Sequence, residues 1–288
     1  AALLVDYPGF NLRLAKELKK RGVKVLYYVC PQVWAWNRGR IPKMAKILDR
    51  LMVIFPFEVE VFKDVDLKVD FVGHPMVDEL REFRCAEPQP LPWNGSRKIA
   101  LLPGSRRQEI TYILPRLLET ARLMEQSMDG LSFLVPVPEK RMAFVESILQ
   151  NSRKAPLNLS VISGRSREVL KQADAAFVAS GTATLEAALL HCPTVLVYRG
   201  SLLNELFVRM LIRIPWLGIA NIVSGREIMP ERLQRDMTPL KLATTIEPLM
   251  SNTPARAAMI ENFQTLEKLL GNGRPAGRIA AIIDEELG

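Results

Sequence analysis

The stretch Ile99-Ala-Leu-Leu-Pro-Gly-Ser-Arg-Arg-Gln-Glu109 decides the fold of its part of the chain, because it joins an apolar run to a helix start. The four apolar residues predict a buried strand that ends at the Pro-Gly pair, and a helix begins after it. Gly104 lets the backbone approach a ligand there, and the free N–H groups of the helix favour a phosphate. Arg106 and Arg107 would add charge-assisted hydrogen bonds. Ser105 can cap this helix, and the alternative is a capped turn with both arginines solvated.

A second stretch, Ala179-Ser-Gly-Thr-Ala-Thr-Leu-Glu186, repeats the order of strand, glycine turn and helix. Ser180, Gly181 and Thr182 offer N–H and hydroxyl donors to a phosphate at the helix start. A carboxylate at Glu186, further along the same helix, suits a ribose diol. The alternative for this stretch alone is a capping arrangement with a glutamate inside the first turns of the helix.

Around these turns, apolar strands alternate with helical segments, which predicts parallel, doubly wound sheets. The first group of predicted strands covers Ala1–Asp6, Val23–Val29, Leu51–Phe55 and Val69–Val72. The second group covers Ile99–Leu102, Leu131–Val135, Leu157–Ile162, Ala175–Ala179 and Thr194–Tyr198. Between the groups lies a Pro-rich run, Glu87-Pro-Gln-Pro-Leu-Pro-Trp93, which is the best linker candidate in the chain.

The chain is therefore predicted to be an α/β protein with two Rossmann-like domains that face a cleft. We assign residues 1–85 to the first domain and residues 86–97 to the linker. The second domain covers residues 98–270. Residues 271–288 form a C-terminal helix that we expect to pack back towards the first domain.

Polar residues that follow predicted strands are candidates for chemistry, because open α/β sheets bind ligands beyond the carboxyl ends of their strands. Asp6 ends the first strand, where it could act as a general base for a sugar hydroxyl, or serve as a helix cap or turn carboxylate. Asn221 lies in a predicted loop after a basic apolar helix, Leu202–Ile212. Its amide could read a base or sugar edge, or satisfy the backbone of the loop.

The net charge of +8 is concentrated near the start of the 288-residue chain, which is 48% hydrophobic. Between residues 9 and 50 there are eleven Lys and Arg against two Asp and Glu, a local charge of +9. Together with Trp34 and Trp36, this excess suggests an anionic membrane surface or a nucleic acid as partner. The alternative is a solvated helix face, which explains the lysines well and the tryptophans poorly.

Histidines and cysteines show no metal-binding pattern in this sequence. The two histidines are His74 and His191, and the three isolated cysteines are Cys30, Cys85 and Cys192. The cysteines form no paired framework, which fits a reducing compartment. No run of about eighteen uncharged apolar residues occurs, so no bilayer-spanning helix is predicted.

Seven segments of this sequence occur in the same order as the matching segments of one known family. They are Asp6-Tyr-Pro-Gly-Phe-Asn11, Tyr28-Val-Cys-Pro-Gln-Val-Trp-Ala-Trp36, Phe55-Pro-Phe-Glu58, Val72-Gly-His-Pro75, Leu101-Leu-Pro-Gly-Ser-Arg106, Ala179-Ser-Gly-Thr-Ala-Thr-Leu-Glu186 and Asn221-Ile-Val-Ser-Gly-Arg-Glu227. Over essentially the whole chain, they resemble the lipid-A-disaccharide synthase family.

The resemblance implies an inverting glycosyltransferase of the GT-B fold. Such an enzyme joins UDP-2,3-diacylglucosamine to 2,3-diacylglucosamine 1-phosphate and releases UDP. It works in the cytoplasm of Gram-negative bacteria, peripherally on the anionic inner-membrane surface, and binds no nucleic acid. The UDP-sugar is a substrate, and neither a cofactor nor a metal is expected. A homodimer is left open.

The resemblance also implies roles for particular residues. Asp6 falls at the family's essential aspartate, the candidate base for the acceptor 6-hydroxyl, and Arg106 falls at its essential arginine. The residues expected to hold UDP are Gly104, Ser105, Arg106, Ser180, Gly181, Thr182, Glu186 and Asn221. The residues expected to contact lipid are Trp34, Trp36, Arg38 and Arg40.

One departure from the family concerns the start of the chain. The family begins with a further stretch that contains a Gly-Glu-Ala-Ser-Gly-Asp loop, and this sequence has none of it. We therefore expect an N-terminally truncated member with an incomplete first domain, whose activity on its own is left open. Two alternatives to the transferase remain, namely a UDP-sugar 2-epimerase and a nucleotide-sugar or lipid-binding module without catalysis.

Overall fold

The computed structural model describes residues 1–152, 155–200, 215–271 and 273–288. They divide into two compact units. The first unit contains Ala1–Glu79 and Glu267–Gly288, and the second contains the described residues between 80 and 266. The first unit is therefore assembled from both ends of the sequence.

The first unit is built on a four-stranded parallel sheet in the order β1-β2-β3-β4. Its strands are β1 (Ala2–Val5), β2 (Val25–Tyr28), β3 (Arg50–Val53) and β4 (Lys68–Phe71). Its helices before the second unit are α1 (Pro8–Lys20), α2 (Val33–Trp36), α3 (Ile41–Ile47) and α4 (Phe57–Val61), with a 3-10 turn at Arg38–Arg40. Helix α5 (Met76–Cys85) leads into the second unit.

Each face of this sheet carries its own apolar core. On one face, residues of β2 and β3 such as Val25 and Leu51 pack with Ala15 of α1 and Met44 of α3. Helix α1 fits this place because proline stands at its first position and Lys19 and Lys20 lie in its last turn, where the helix dipole favours cations. The strand β1 lies at the edge of the sheet, next to β2.

The second face of the sheet is covered by the C-terminal helix, α13 (Pro275–Leu287). Its Ile282 packs against Leu26, Met52 and Val72. At the same helix, the buried Arg50 guanidinium contacts Asp70, Glu285 and Glu286, with Nε 2.6 Å from Asp70 and Nη1 2.8 and 3.0 Å from the two glutamates. These ion pairs fix the end of the helix to strand β3.

The second unit contains a six-stranded parallel sheet in the order β10-β9-β8-β5-β6-β7. Its strands are β5 (Arg97–Leu102), β6 (Leu131–Val137), β7 (Leu159–Ser163), β8 (Ala175–Ala179), β9 (Thr194–Tyr198) and β10 (Glu231–Leu233). Its helices are α6 (Arg107–Ser127), α7 (Met142–Gln150), α8 (Ser166–Gln172), α9 (Thr182–Leu189), α10 (Ile219–Ser224), α11 (Pro239–Ile246) and α12 (Pro254–Leu269). Short 3-10 turns occur at Glu139–Arg141, Gln234–Asp236 and Glu247–Leu249.

The strand order of the second sheet reverses between β5 and β8. From β5 the chain continues outward through β6 to β7, and it then returns to β8 on the other side of β5. The two strands are parallel, with Leu102 opposite Val178, so the loops that follow them leave from one edge. Such a reversal is where doubly wound sheets leave a crevice for ligands.

The structure confirms the prediction of two parallel α/β sheets and corrects parts of the sequence interpretation. Asn221 lies in helix α10 and not in a loop, and strand β10 was not predicted. The predicted basic helix Leu202–Ile212 lies outside the described residues. Within the part that the structure describes, no helix has the length and apolar character needed to cross a bilayer.

Candidate functional site

The turn after β5 holds a carboxylate of its own. Gly104 has a φ of +100°, and a Cβ there would overlap the side chain of Glu109. Oε2 of Glu109 accepts hydrogen bonds from the backbone N–H groups of Ser105 (3.1 Å) and Arg106 (3.2 Å). The expectation that Ser105 caps the helix is therefore wrong. Arg106 is the N-cap residue, and because its side chain has no acceptor, the Glu109 carboxylate closes the turn alone.

The two arginines of this turn have different surroundings. The Arg106 side chain is 84% exposed, and its Nη1 lies 3.1 Å from Oε1 of Glu109. The Arg107 guanidinium lies over the ring of Phe144, 4.6 Å from its centroid, which fixes it against helix α7. Arg106 is thus the arginine of the pair whose guanidinium can turn towards an anion.

The turn after β8 is open. Gly181 has a φ of +155°, a conformation that L-residues rarely adopt, and no atom lies within 4 Å of the position of a Cβ. Gly181 and Thr182 are exposed, and helix α9 begins at Thr182. The N–H of Ser180 donates to Val197 O at 3.1 Å, so this group is engaged in the sheet. The exposed N-terminus of α9 is where an anion would find free donors.

The sheet brings these two turns side by side. They follow β5 and β8, which are paired neighbours, and both lie at the strand reversal. Two helix N-termini, of α6 and α9, therefore start at one edge of the second sheet. Their positive dipole ends and the Arg106 guanidinium make this edge suited to a diphosphate.

Glu186 lies on α9 and is engaged with a neighbouring helix. Its Oε1 accepts a hydrogen bond from Nε of Arg167 on α8 at 2.9 Å, and its side chain is 15% exposed. A ribose would have to share this carboxylate with Arg167.

Asn221 uses its whole amide inside the protein. It is 1% exposed. Its Nδ2 donates to Met229 O (2.8 Å) and to Oε1 of Glu231 (2.9 Å). Its Oδ1 accepts from the N–H groups of Ile228 (2.8 Å) and Met229 (3.0 Å). These bonds fill the capacity of the amide, so of the two roles considered for Asn221 the geometry favours support of the backbone.

In the first unit, Asp6 follows β1 in an exposed turn. Its backbone N–H donates to Tyr28 O at 2.9 Å, which continues the sheet pairing. No hydrogen bond or ion pair is made by its carboxylate within the described residues. An exposed carboxylate at the carboxyl end of a strand has access to a ligand and is able to accept a proton from it.

Trp34 lies in the interior of the first unit, so the prediction that it contacts lipid is wrong. It is 6% exposed, and its ring packs edge-on against Phe57 with centroids 5.0 Å apart. Its Nε1–H donates to Oε1 of Glu58 at 3.1 Å. Arg38 is exposed and Arg40 is half-buried. The Trp36 side chain lies outside the described part.

Glu58 is a buried carboxyl that the sequence analysis did not single out. It is 1% exposed, and its Oε2 accepts the N–H of Phe55 at 3.1 Å. Burial raises its pKa to about 7, and the hydrogen bonds from Phe55 and Trp34 counter part of this rise. Glu58 and Glu109 each lie three residues after the residue whose backbone N–H they accept, Phe55 and Arg106. This spacing is typical of a glutamate that caps a helix, and it could have identified both carboxylates from the sequence.

His74 does not offer an accessible acid or base. Its ring lies against Phe55, with centroids 5.2 Å apart, and its Nδ1 accepts the N–H of Met76 at 3.2 Å. Burial lowers its pKa to about 4, so the ring is neutral near pH 7. In the described ranges, no group of three or more His, Cys, Asp or Glu is placed to hold a metal ion.

Comparisons with known proteins assign a family. A family model described as lipid-A-disaccharide synthetase matches residues 1–277. The lipid-A-disaccharide synthase of Trichlorobacter lovleyi is 37% identical over 290 residues, covering 98% of this chain and 74% of the relative. That of Anaeromyxobacter dehalogenans is 40% identical over 286 residues, covering 97% and 73%.

Solved structures share the fold at low sequence identity. A putative UDP-N-acetylglucosamine 2-epimerase from Listeria monocytogenes has a TM-score of 0.66 at 14% identity, covering 99% of this chain and 74% of its own. A structure named trehalose-6-phosphate from Escherichia coli, bound with UDP-2-fluoro glucose, has a TM-score of 0.58 at 14% identity, covering 98% of this chain and 72% of its own. Epimerases and glycosyltransferases thus share this arrangement, and at such identities the likeness concerns the fold alone.

Proposed function

Because the chain belongs to the lipid-A-disaccharide synthase family of glycosyltransferases, we propose that it forms the disaccharide of lipid A from two acylated sugars. The donor is UDP-2,3-diacylglucosamine and the acceptor is 2,3-diacylglucosamine 1-phosphate. The products are the disaccharide 1-phosphate and UDP. The observation that carries this proposal is the family match, which runs over residues 1–277.

The second unit supplies the site for UDP in this proposal. The diphosphate lies at the strand reversal, against the N-termini of α6 and α9, where no atom lies within 4 Å of a Cβ position at Gly181. The Arg106 guanidinium turns from Glu109 to the diphosphate and stabilises the charge of the departing UDP. Glu186 binds the ribose while it remains paired with Arg167.

The first unit supplies the base. The acceptor 6-hydroxyl oxygen attacks the anomeric carbon of the donor and forms the new glycosidic bond. The bond from that carbon to the phosphate oxygen breaks, and its electron pair leaves with UDP. Asp6 takes the hydroxyl proton. A single displacement of this kind inverts the configuration of the anomeric carbon.

The lipid substrates and the basic segment at residues 9–50 suggest a membrane partner. Arg38, exposed next to α2, is proposed to contact anionic headgroups, with the lysines of α1. Sedimentation with vesicles of phosphatidylglycerol and phosphatidylethanolamine tests this contact. The variant Arg38→Glu should sediment less than the wild-type protein, and equal sedimentation would contradict the proposal.

The reaction is tested with the purified protein and both acylated sugars. UDP release is followed by a coupled assay, and the disaccharide is identified by mass spectrometry. The variant Asp6→Asn should form disaccharide at least 100-fold more slowly, whereas Asp64→Asn, the same change at another exposed aspartate of the first unit, should keep the wild-type rate. A donor sugar that changes configuration while UDP stays attached to it would instead favour epimerase-type chemistry.

Arg106 is tested separately through UDP affinity. Loss of a charge-assisted hydrogen bond in Arg106→Ala should cost on the order of 1.5–3 kcal/mol of binding free energy. Isothermal titration with UDP measures this cost. An unchanged Kd would mean that the turn after β5 is a capped turn without a ligand role.

A further inference from the structure

We propose that Asn11 and Tyr27 are positioning residues that hold Asp6 in the orientation needed for proton transfer. This inference rests on the proposed role of Asp6 as the base. It is carried by the backbone conformation of the β1–α1 turn and by two side chains that donate to one carbonyl oxygen.

The turn between β1 and α1 has an unfavourable backbone. Asp6 has a φ of +46° and Tyr7 has a φ of +44°, so two consecutive non-glycine residues adopt the left-handed conformation. Such residues persist only when the surrounding structure holds them, and they concentrate at functional sites. Neither residue is buried, so packing of their own side chains does not explain the conformation.

Two donors converge on the carbonyl oxygen of Asp6. The Tyr27 hydroxyl donates to it at 2.6 Å, and Nδ2 of Asn11 donates to it at 2.8 Å. The same Nδ2 also donates to Val5 O at 2.9 Å. Tyr27 comes from the neighbouring strand β2 and is fully buried, while Asn11 comes from the first turns of the helix that follows Asp6.

The two donors fix the peptide that follows Asp6 from two directions, because β2 and α1 approach it separately. The carboxylate itself makes no hydrogen bond or ion pair within the described part of the first unit. The backbone conformation therefore sets the direction of its Cα–Cβ bond and the region that the carboxylate can reach. Without the donors, the turn can relax to a right-handed or extended conformation, which would swing the carboxylate away from the acceptor hydroxyl.

The test compares Tyr27→Phe and Asn11→Ala with the wild-type protein. Each removes one donor and should lower kcat by about 10- to 100-fold, the effect of a misplaced reacting group, while both KM values stay within about threefold. The matched control is Tyr28→Phe on the same strand, because within the described residues the Tyr28 hydroxyl has no hydrogen-bond partner. It should keep the wild-type kcat.

A double-mutant cycle with Asp6→Asn separates positioning from a general structural role. If Tyr27 acts through Asp6, adding Tyr27→Phe to Asp6→Asn should cause no further fall in kcat. An equal further fall would overturn the inference, as would an unchanged kcat in both single variants. If Tyr27→Phe fails to fold, the same double-mutant cycle is measured with Asn11→Ala, because Asn11 is only half-buried. If Asp6→Asn itself keeps full activity, the proposed role of Asp6 fails instead.

Discussion

The buried carboxyl of Glu58 should make the stability of the first unit depend on pH. In the folded state its pKa is about 7, and its ordinary value is 4.5. Between these values the folded protein retains a proton that the unfolded chain has lost. The stabilising contribution of this proton is therefore fully present below pH 4.5 and is lost as the pH rises through 7.

The size of the effect follows from the two pKa values. One pKa unit corresponds to about 1.4 kcal/mol, so a difference of 2.5 units gives about 3 kcal/mol across this range. The variant Glu58→Gln keeps an oxygen that can accept from Trp34 but carries no charge at any pH. The stability of the variant relative to the wild-type protein should thus rise by about 3 kcal/mol between pH 4.5 and pH 8.

The assay is urea denaturation at several pH values, followed by tryptophan fluorescence and circular dichroism. Differences between variant and wild type remove the pH dependence of all other groups. Glu60→Gln is the control, because Glu60 lies on the same helix α4 with a side chain that is 76% exposed. It gives the baseline for the same substitution at an exposed site. A difference for Glu58→Gln that changes with pH no more than this baseline would refute the reasoning.

Three further changes test other parts of the structure. Glu109→Gln removes the negative charge from the turn after β5, so the Kd for UDP in isothermal titration should fall about fivefold, on the order of 1 kcal/mol; an unchanged or raised Kd would contradict this. Arg50→Met leaves Asp70 without its partner. Because Asp70 is 29% exposed, the loss in the free energy of unfolding should be smaller than the roughly 3–5 kcal/mol of a fully buried pair. Urea denaturation of the double variant with Asp70→Leu should show that part of this loss is recovered. Gly181→Ala should lower stability by about 1–3 kcal/mol through backbone strain, whereas Gly277→Ala inside helix α13 should not lower it, and equal effects would argue against strain.

The central strands and their direction were predictable because these parallel strands are buried on both faces and read as uninterrupted apolar runs. Ile99–Leu102 and Ala175–Ala179 are examples, and both are strands in the structure. The turns that follow were predictable because a glycine, Gly104 or Gly181, stands two residues after the end of each apolar run. The sequence could not show that β5 and β8 are neighbours, because strand order depends on packing between distant segments.

The interior partners of polar and aromatic residues were harder to predict. Trp34 lies in a basic segment, which suggested a surface role, but its environment is decided by Glu58, 24 residues later. Asn221 likewise receives its partners from residues 228 to 231, after a turn that the sequence did not predict. In both cases the chemistry of the side chain was clear, and only the tertiary structure determined what it faces.

The assembly of the first unit from both ends of the sequence has a consequence for synthesis on the ribosome. Leu26, Met52 and Val72 emerge early, yet the helix that covers them, Pro275–Leu287, is made after the whole second unit. The apolar face of the first sheet therefore remains uncovered while the second unit is translated and folds. Exposed apolar surface and unfinished sheets favour aggregation, so this interval is where the nascent chain most needs a chaperone.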